Sequence, residues 1–345
     1  MNVMTAAAQT CCRLMLVLYV ALSTAQAFAQ VNAQSADQPL TQSAEYWLEK
    51  MQDAAAKVNY RGTFVFSRGE MTSSMQIVHR YSDGLEQERM KQLDGEMGEI
   101  IRNGSEVICI LPGNRIVQIE PDQFSNKIVQ AFSGFMPDHK YYSLQLVGFD
   151  RLVERSTVKL AISANDQNRY SYALWLDQQT GLLLKSSLLD HSGVELERFH
   201  YTQIDFPSEI DSDELKPSSH GGVVTHEMIP AVKKDFMWPG AMDWNVSWVP
   251  PGYEQVKRGA KASNNVMLYS DGLATYSVFV EKVASDMMPN GASMVGAMVA
   301  YSLKLSSDEH HYNVTVVGEI PAMTAMMVAE SVKPSMPDPD GLKND

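Results

Sequence analysis

The sequence predicts an α+β protein whose larger, N-terminal part is a strongly curved antiparallel sheet, or half-open barrel, with one helix. Three observations predict this fold class. Apolar and polar residues alternate along most segments between residues 60 and 206, which is the period of a half-buried strand. Dipeptides such as Asp83-Gly84 and Asn103-Gly104 separate these segments and favour tight hairpins. The connections between the segments are too short for the helical crossovers that a parallel sheet requires.

A helix precedes the predicted sheet. Leu48 and Met51 belong to a set of apolar residues at helical spacing, so the pattern predicts an amphipathic helix that begins near residue 44. The strands predicted to follow it span 60–67, 74–81, 85–93, 105–111, 115–120, 142–149, 152–162, 169–177, 182–190 and 194–206. The alternation is clearest in 169–177, where Tyr170 and Leu174 share one face and Arg169 lies on the other. The sheet is therefore predicted to occupy residues 43–206 together with the helix.

A second, smaller domain is predicted after a linker. Residues 207–234 are rich in proline, glycine and serine and lack apolar periodicity, which is typical of a linker. Residues 235–333 are expected to contain a hairpin across Asp271-Gly272 and a helix that follows Pro321, since proline is favoured at the first helical position. The remaining residues, 334–345, are predicted to be a disordered tail.

The N-terminal residues predict a secretory signal peptide. Arg13 precedes an apolar run over residues 14–22, and a stretch of small residues then ends at Ala29. This order of charge, apolar run and small residues predicts cleavage after Ala29, with a flexible leader over 30–42. No later run reaches the ~18 apolar residues of a membrane-spanning helix. We therefore expect a secreted chain.

Size, charge and cysteine content limit the function classes. The 345 residues and 38.4 kDa exceed what one compact domain usually needs. The formal net charge of −13 argues against a protein that binds nucleic acid. Cys11 and Cys12 precede the predicted cleavage site, which leaves Cys109 in an apolar strand. A cysteine in such a strand is expected to be a small buried hydrophobe with a raised pKa.

Catalytic and metal-binding motifs are scarce. The sequence lacks a phosphate-binding glycine loop, an H-E-x-x-H motif and a C-x-x-C pair. Ser156 and Lys159 match S-x-x-K, but a strand would direct their side chains to opposite faces, and the companion motifs of that enzyme class are absent. We therefore predict no catalytic residues, no cofactor and no metal. A serine hydrolase that uses Ser156 is kept as a hypothesis, and labelling by a serine-reactive probe would test it.

Bulky apolar side chains suggest a ligand pocket. They would ordinarily fill a core, but a half-open barrel can leave its concave face open to an acyl chain. Each buried methylene contributes ~0.8 kcal/mol, so a chain of about twelve carbons supplies up to ~10 kcal/mol before entropy costs. The residues expected to line this pocket are Tyr60, Phe64, Phe66, Ile108, Ile110, Tyr170, Tyr172 and Trp175.

Small basic clusters stand out on this acidic chain. Most such clusters are solvated surface, whereas a minority contact an anionic partner. The residues predicted to contact a partner are Lys233, Lys234, Trp244, Lys257, Arg258 and Lys261.

Several stretches in both domains resemble one protein family. They are residues 169–177, 180–182 and 188–193 in the first domain, and 268–273, 279–280 and 314–321 in the second. In residue types, order and spacing they resemble the RseB/MucB family, the periplasmic negative regulators of the sigma-E envelope-stress response. The resemblance extends from about residue 43 to residue 333.

The resemblance implies a fold and a function. It implies an N-terminal domain similar to the lipoprotein carriers of the outer-membrane pathway and a smaller C-terminal α/β domain. It also implies a periplasmic location and binding to the periplasmic region of a membrane-spanning anti-sigma factor. In the family, the bound regulator shields the anti-sigma factor from proteolysis and so keeps the sigma-E-type factor inactive. Lipopolysaccharide or another acyl-chain ligand then releases the regulator.

The main alternative is a periplasmic lipoprotein or lipid carrier, or a chaperone, without a signalling role. Such a protein would need only the first domain, so the second domain argues against it. A pull-down from envelope extract would distinguish the two, because a carrier would recover acylated lipoproteins and no anti-sigma factor. The sequence does not determine whether the chain forms a homo-oligomer.

Overall fold

The computed structural model describes residues 42–113, 115–119, 137–218, 244–256, 266–283, 290–307 and 310–335. The predicted signal peptide and leader, the linker beyond residue 218 and most of the C-terminal tail lie outside these residues. The described residues from Ala44 onward belong to one compact unit, which contains both of the sheets below.

The N-terminal part is one eleven-stranded antiparallel sheet with a helix, which confirms the predicted fold class. Helix α1 spans Ala44–Lys57. The strands are β1 (Tyr60–Arg68), β2 (Met71–Ser82), β3 (Leu85–Gln92), β4 (Glu99–Asn103), β5 (Glu106–Leu111), β6 (Arg115–Ile119), β7 (Tyr142–Leu152), β8 (Arg155–Ala164), β9 (Ser171–Asp177), β10 (Leu183–Leu189) and β11 (Glu195–Asp205). Their order across the sheet is β6-β5-β4-β3-β2-β1-β11-β10-β9-β8-β7. The described sheet is therefore open, with β6 and β7 at its two edges.

Helix α1 covers one face of this sheet, which we call the inner face. Leu48 and Met51 are buried in one core cluster with Phe64, Leu160 and Leu174. Full burial of a leucine or methionine side chain contributes about 1.5–3 kcal/mol. Packing of the helix therefore stabilises the middle of the sheet.

One hairpin turn differs from the prediction. The sequence pattern predicts a strand from residue 152, whereas β7 ends at Leu152 and β8 begins at Arg155. Val153 and Glu154 form the turn with φ angles of 43° and 65°. A valine with positive φ is uncommon because its branched side chain crowds the backbone. Val153 also packs against the core cluster, and this tertiary contact offsets the strain of its backbone conformation.

The predicted linker starts at residue 207, but residues 207–218 pack on the N-terminal sheet. They lie on its outer face, which is the face opposite to helix α1. The guanidinium of Arg80 donates to the carbonyl of Ile210 at 3.0 Å, and that of Arg89 donates to the carbonyl of Glu214 at 3.1 Å. A short 3₁₀ helix, Ser212–Leu215, lies in this segment. Ile210 and Leu215 also form a small buried cluster with Val78. Two apolar residues five positions apart give no periodic pattern, so a search for apolar periodicity does not detect this segment.

The C-terminal part is a six-stranded antiparallel sheet with a helix packed on it. Its strands are β13 (Glu254–Gln255), β14 (Val266–Ser270), β15 (Thr275–Val283), β16 (Gly291–Val295), β17 (Met298–Ser307) and β18 (His310–Gly318), in the order β13-β14-β15-β18-β17-β16. Helix α2 spans Ala322–Glu330, and β12 (Trp244–Val246) pairs with β19 (Val332–Pro334). The hairpin across Asp271-Gly272 and the helix after Pro321 agree with the sequence pattern, whereas β16 and β17 were not predicted.

Candidate functional site

The two sheets meet at a set of charged and polar contacts, which we call the junction. Arg169, two residues before β9, contributes a side chain that is completely buried. Its guanidinium donates to Asp166 at 3.1 Å and to Asp271 at 2.7 Å, and it also contacts the carbonyl of Pro251. Asp271 has a side chain that is 1% exposed and lies in the β14–β15 turn of the second sheet. A buried ion pair thus joins the two sheets.

Tyrosine rings surround this ion pair. The guanidinium carbon of Arg169 lies 4.8 Å from the ring centroid of Tyr141, 5.3 Å from Tyr142 and 5.1 Å from Tyr253. The Tyr142 hydroxyl donates to the same Asp271 oxygen at 2.9 Å. Burial and the neighbouring Asp271 carboxylate raise the pKa of Tyr142, so this hydroxyl stays protonated and able to donate. Desolvated cation–π contacts of this kind contribute about 2 kcal/mol.

A hairpin tip makes the second half of the junction. Gly296 and Ala297 form the two-residue turn between β16 and β17. The N–H of Ala297 donates to Glu197 at 3.3 Å. Arg68 donates to Glu197 at 2.7 Å and to Glu319, which directly follows β18, at 3.1 Å. The tip is therefore held against β1 and β11 by charged groups.

The inner face carries half-buried apolar residues around the filled core. Phe66, Met75, Ile100 and Tyr172 pack against the core cluster but keep part of their surface exposed. They come from β1, β2, β4 and β9. An apolar ligand could cover the exposed surface of these four residues, which we call the margin of the inner face.

The structure distributes the eight predicted pocket residues over four environments, three of which are on the inner face or at the junction. Tyr60 and Phe64 are 3% and 5% exposed and belong to the filled core. Tyr170 is buried at the junction, where its hydroxyl donates to the Ile320 carbonyl at 3.3 Å. Phe66 and Tyr172 are the two that lie half-buried on the inner face.

The other three predicted pocket residues lie on the opposite face. Ile108 pairs with Ile101, whereas their neighbours Cys109 and Ile100 lie on the inner face. Ile110 lies on the same face as Ile108, because the two are two residues apart on β5. Trp175 lies on the face opposite to its neighbours Leu174 and Leu176, which belong to the inner-face core. These residues cannot line an inner-face pocket, because successive strand residues point to opposite faces.

Trp175 instead takes part in a polar cluster on the outer face. The ammonium groups of Lys159 and Lys185 lie 4.8 Å and 4.2 Å from its ring centroid. Its indole N–H donates to Asp150 at 2.9 Å. The two lysine stems cover the indole, which explains how a tryptophan on the outer face is only 7% exposed.

Of the predicted partner-binding residues, only Trp244 is described. It is 6% exposed and packs edge-on against Tyr312 at 4.7 Å between ring centroids. This position is in the C-terminal core and not on a surface that a partner could contact. The other predicted partner contacts, Lys233, Lys234, Lys257, Arg258 and Lys261, lie outside the described residues.

The inner face also holds a polar cluster that the sequence analysis missed. His79 is completely buried, with Nδ1 2.8 Å from the Val58 carbonyl and Nε2 3.2 Å from Glu86. Arg102 contacts Glu86 and lies 3.6 Å from Glu88. Burial raises the pKa of Glu88. These residues come from β2, β3 and β4, and their mutual pairing is visible only in the folded sheet.

The S-x-x-K motif lies as the strand pattern predicted, whereas Cys109 is less buried than expected. Cys109 is half-buried on β5, and burial raises the pKa of its thiol. Ser156 and Lys159 occupy positions of opposite parity on β8. Among the described residues, no group of His, Cys, Asp and Glu side chains is arranged to hold a metal ion. Nor does any described helix combine the length and hydropathy needed to span a bilayer.

A cavity of about 430 Å³ lies at the β7–β8 turn and is polar. Its lining residues are Glu154, Arg155, Ser156, Asp177, Gln178 and Gln179. Burial acts to raise the pKa of Asp177, but hydrogen bonds from Arg155 and Thr180 outweigh burial and lower it. The cavity therefore contains an internally paired carboxylate and is not the predicted acyl-chain pocket.

The lowered pKa of Asp177 predicts a loss of stability in acid. A carboxylate with a depressed native pKa contributes stability above its unfolded pKa of ~3.9, and that contribution is lost as the pH falls through the native pKa. Asp177→Asn should therefore lower the free energy of unfolding at pH 7 and flatten its decline below about pH 4. Asp213→Asn is the control, because Asp213 pairs with Lys216 on the exposed surface. Equal pH profiles for the parent and Asp177→Asn in urea unfolding would contradict this assignment.

Two models of one protein family match the two parts of this chain. The model of the MucB/RseB N-terminal domain matches residues 43–219, and that of the MucB/RseB C-terminal domain matches residues 239–333. The chain belongs to the MucB/RseB family. Both domains of the family are thus present in this chain.

Named relatives match the chain over most of its length. The sigma factor AlgU regulatory protein MucB of Pseudomonas aeruginosa is 34% identical over 86% of this chain and 93% of the relative. The sigma-E factor regulatory protein RseB of Salmonella typhimurium is 28% identical over 83% of this chain and 89% of the relative. A crystal structure of MucB in complex with MucA(peri) matches with a TM-score of 0.67 and 34% identity, covering 85% of this chain and all of that one.

Proposed function

We propose that this chain binds the periplasmic region of a membrane-spanning anti-sigma factor and thereby keeps a sigma-E-type factor inactive. The observation that carries the proposal is the match, over both domains, to a MucB whose crystal structure contains MucA(peri). A carrier without a signalling role would not need the second sheet or the buried junction to it. The role requires binding and no catalysis.

The proposal includes a location and a protective effect. The chain would act in the periplasm after cleavage behind Ala29, so the mature protein isolated from cells should begin at Gln30. By covering the anti-sigma factor, it would slow the protease that starts the degradation of that factor.

Binding and protection can be measured together. The mature chain is titrated with the periplasmic region of the anti-sigma factor from the same genome, and cleavage of that factor is followed with and without the chain. We expect a complex with a defined stoichiometry and slower cleavage. Recovery of acylated lipoproteins alone from an envelope extract, with no complex and unchanged cleavage, would support a carrier instead.

We further propose that an acyl chain on the inner face weakens partner binding. The half-buried margin formed by Phe66, Met75, Ile100 and Tyr172 supports this step, because an apolar ligand gains free energy by covering such surface. A ligand shifts an equilibrium only by its differential affinity for the two states. A difference of about 1.4 kcal/mol weakens the complex tenfold.

Placing a carboxylate on this margin should weaken the lipid effect. We expect saturating lipopolysaccharide to lower the affinity of the parent for the anti-sigma factor by about tenfold or more. Met75→Glu should reduce that change, since an acyl chain would have to desolvate the new carboxylate. Gln76→Glu is the matched control, because Gln76 is the exposed neighbour on the opposite face of β2. An equal lipopolysaccharide effect in both variants, measured by titration calorimetry, would rule out the inner face.

A further inference from the structure

Strand β16 forms a free edge of the second sheet. It pairs with β17 on one side and ends the sheet on the other within the described residues. All five residues, Gly291–Val295, are exposed. Exposed edge strands are templates for pairing with another chain unless they are protected by charge, proline or a bulge.

This edge carries none of those protective features. The segment Gly-Ala-Ser-Met-Val contains no charged residue and no proline, and its pairing with β17 is continuous. The edge strand β7 of the first sheet differs, since it has a register shift between Leu146 and Gly148 and carries Asp150 and Arg151. β16 is therefore the less protected of these two edges.

The register shows which backbone groups point outward. The pair Val295–Met298 closes the two-residue turn at Gly296-Ala297, and the pair beside such a turn is hydrogen-bonded. Hydrogen-bonded and non-hydrogen-bonded pairs then alternate along an antiparallel ladder. Ala292 and Met294 therefore direct their N–H and C=O groups away from β17. These groups fit an extended peptide backbone.

The side chains beside this edge are apolar. Met294 pairs with Val299, which is completely buried in the C-terminal core, and Ala292 pairs with Tyr301, which packs against that core. Met294 itself is 49% exposed. A strand added outside β16 would thus continue the apolar face of the sheet through every second side chain.

The free edge is continuous with the junction. The turn that follows β16 is seated at β1 and β11, where a Cβ on Gly296 would lie 2.9 Å from the Leu196 carbonyl. Ala297 is completely buried there. A peptide paired with β16 would therefore end where the two sheets meet.

We propose that β16 receives an extended segment of the partner as a seventh strand of the C-terminal sheet. This inference rests on the proposed function and names the binding surface. The neutral edge selects an uncharged segment with apolar side chains at alternate positions. A second copy of this chain is the less favourable occupant, because each copy has a formal net charge of −13 and like charges repel.

Proline at an outward-facing position tests the pairing. Met294→Pro removes an outward N–H and leaves the hydrogen bonds between β16 and β17 in place, since proline is tolerated on edge strands. We expect about a tenfold loss of affinity for the periplasmic region of the anti-sigma factor, because one backbone acceptor of the partner loses its donor. Met294→Ala is the matched control, which keeps the N–H and should lose less. An equal affinity of parent and Met294→Pro would overturn the proposal.

Hydrogen exchange on the parent chain tests the same pairing without a variant. The amides of residues 292 and 294 should exchange about tenfold more slowly, or slower still, once the partner is bound. A complex that forms without this protection would overturn the edge pairing and leave the proposed function intact. Protection that appears without partner and rises with chain concentration would assign the edge to a second copy. The absence of any complex would overturn both proposals.

Discussion

Arg169→Met is expected to lower the free energy of unfolding by about 3–5 kcal/mol, the usual cost of removing one member of a buried ion pair. The loss is large because Asp271 remains buried with a 1% exposed side chain and no guanidinium beside it. The Pro251 carbonyl also loses its contact with the guanidinium. Urea unfolding of the parent and the variant measures the difference.

Two further variants separate the ion pair from simple packing. Arg169→Lys keeps the charge but not the planar fork that reaches Asp166 and Asp271 together, so an intermediate loss is expected. In Arg169→Met combined with Asp271→Asn, the total loss should be smaller than the sum of the single losses. Strict additivity would show that the two side chains do not stabilise each other.

Gly296→Ala is expected to unseat the hairpin tip from the first sheet. Gly296 has a φ of +57°, and an added Cβ would lie 2.6 Å from Arg68 Cγ and 2.9 Å from the Leu196 carbonyl. The left-handed backbone costs alanine about 1–2 kcal/mol, and crowding in a packed site adds about 1–3 kcal/mol. We expect a lower free energy of unfolding and a larger radius of gyration in small-angle scattering.

Gly84→Ala is the matched control. Gly84 has a φ of +79° in the β2–β3 turn, and nothing lies within 4 Å of the position that its Cβ would occupy. It should show the backbone cost alone and an unchanged radius of gyration. Identical behaviour of the two variants would mean that the tip does not hold the sheets together.

Local signals were sufficient for much of the fold. Asp83-Gly84 and Asn103-Gly104 mark hairpins whose glycines adopt positive φ, and alternation marks the strands around them. Strand β16 was not predicted, because Gly291-Ala292-Ser293 shows neither apolar–polar alternation nor strong strand propensity. It pairs with β17 along its whole length, and the hairpin tip that joins the two strands contacts the other sheet.

The candidate site was harder to predict than the fold. Alternation placed Arg169 opposite Tyr170, and charged side chains are rarely fully buried without a partner. That partner, Asp271, lies 102 residues away, and a single sequence carries no signal of the pairing. Parity could have excluded Trp175 from the pocket, because it adjoins Leu174 and Leu176 on one strand.

The chemistry of the junction bears on what happens when the two sheets part. Its contacts include Arg169–Asp271, Arg68–Glu319 and the hydroxyl of Tyr142 on Asp271. Such groups become hydrated when they separate. A large exposed hydrophobic surface would instead bind other proteins. If the two sheets separate, the charged groups of the junction would therefore be hydrated and would not by themselves promote aggregation.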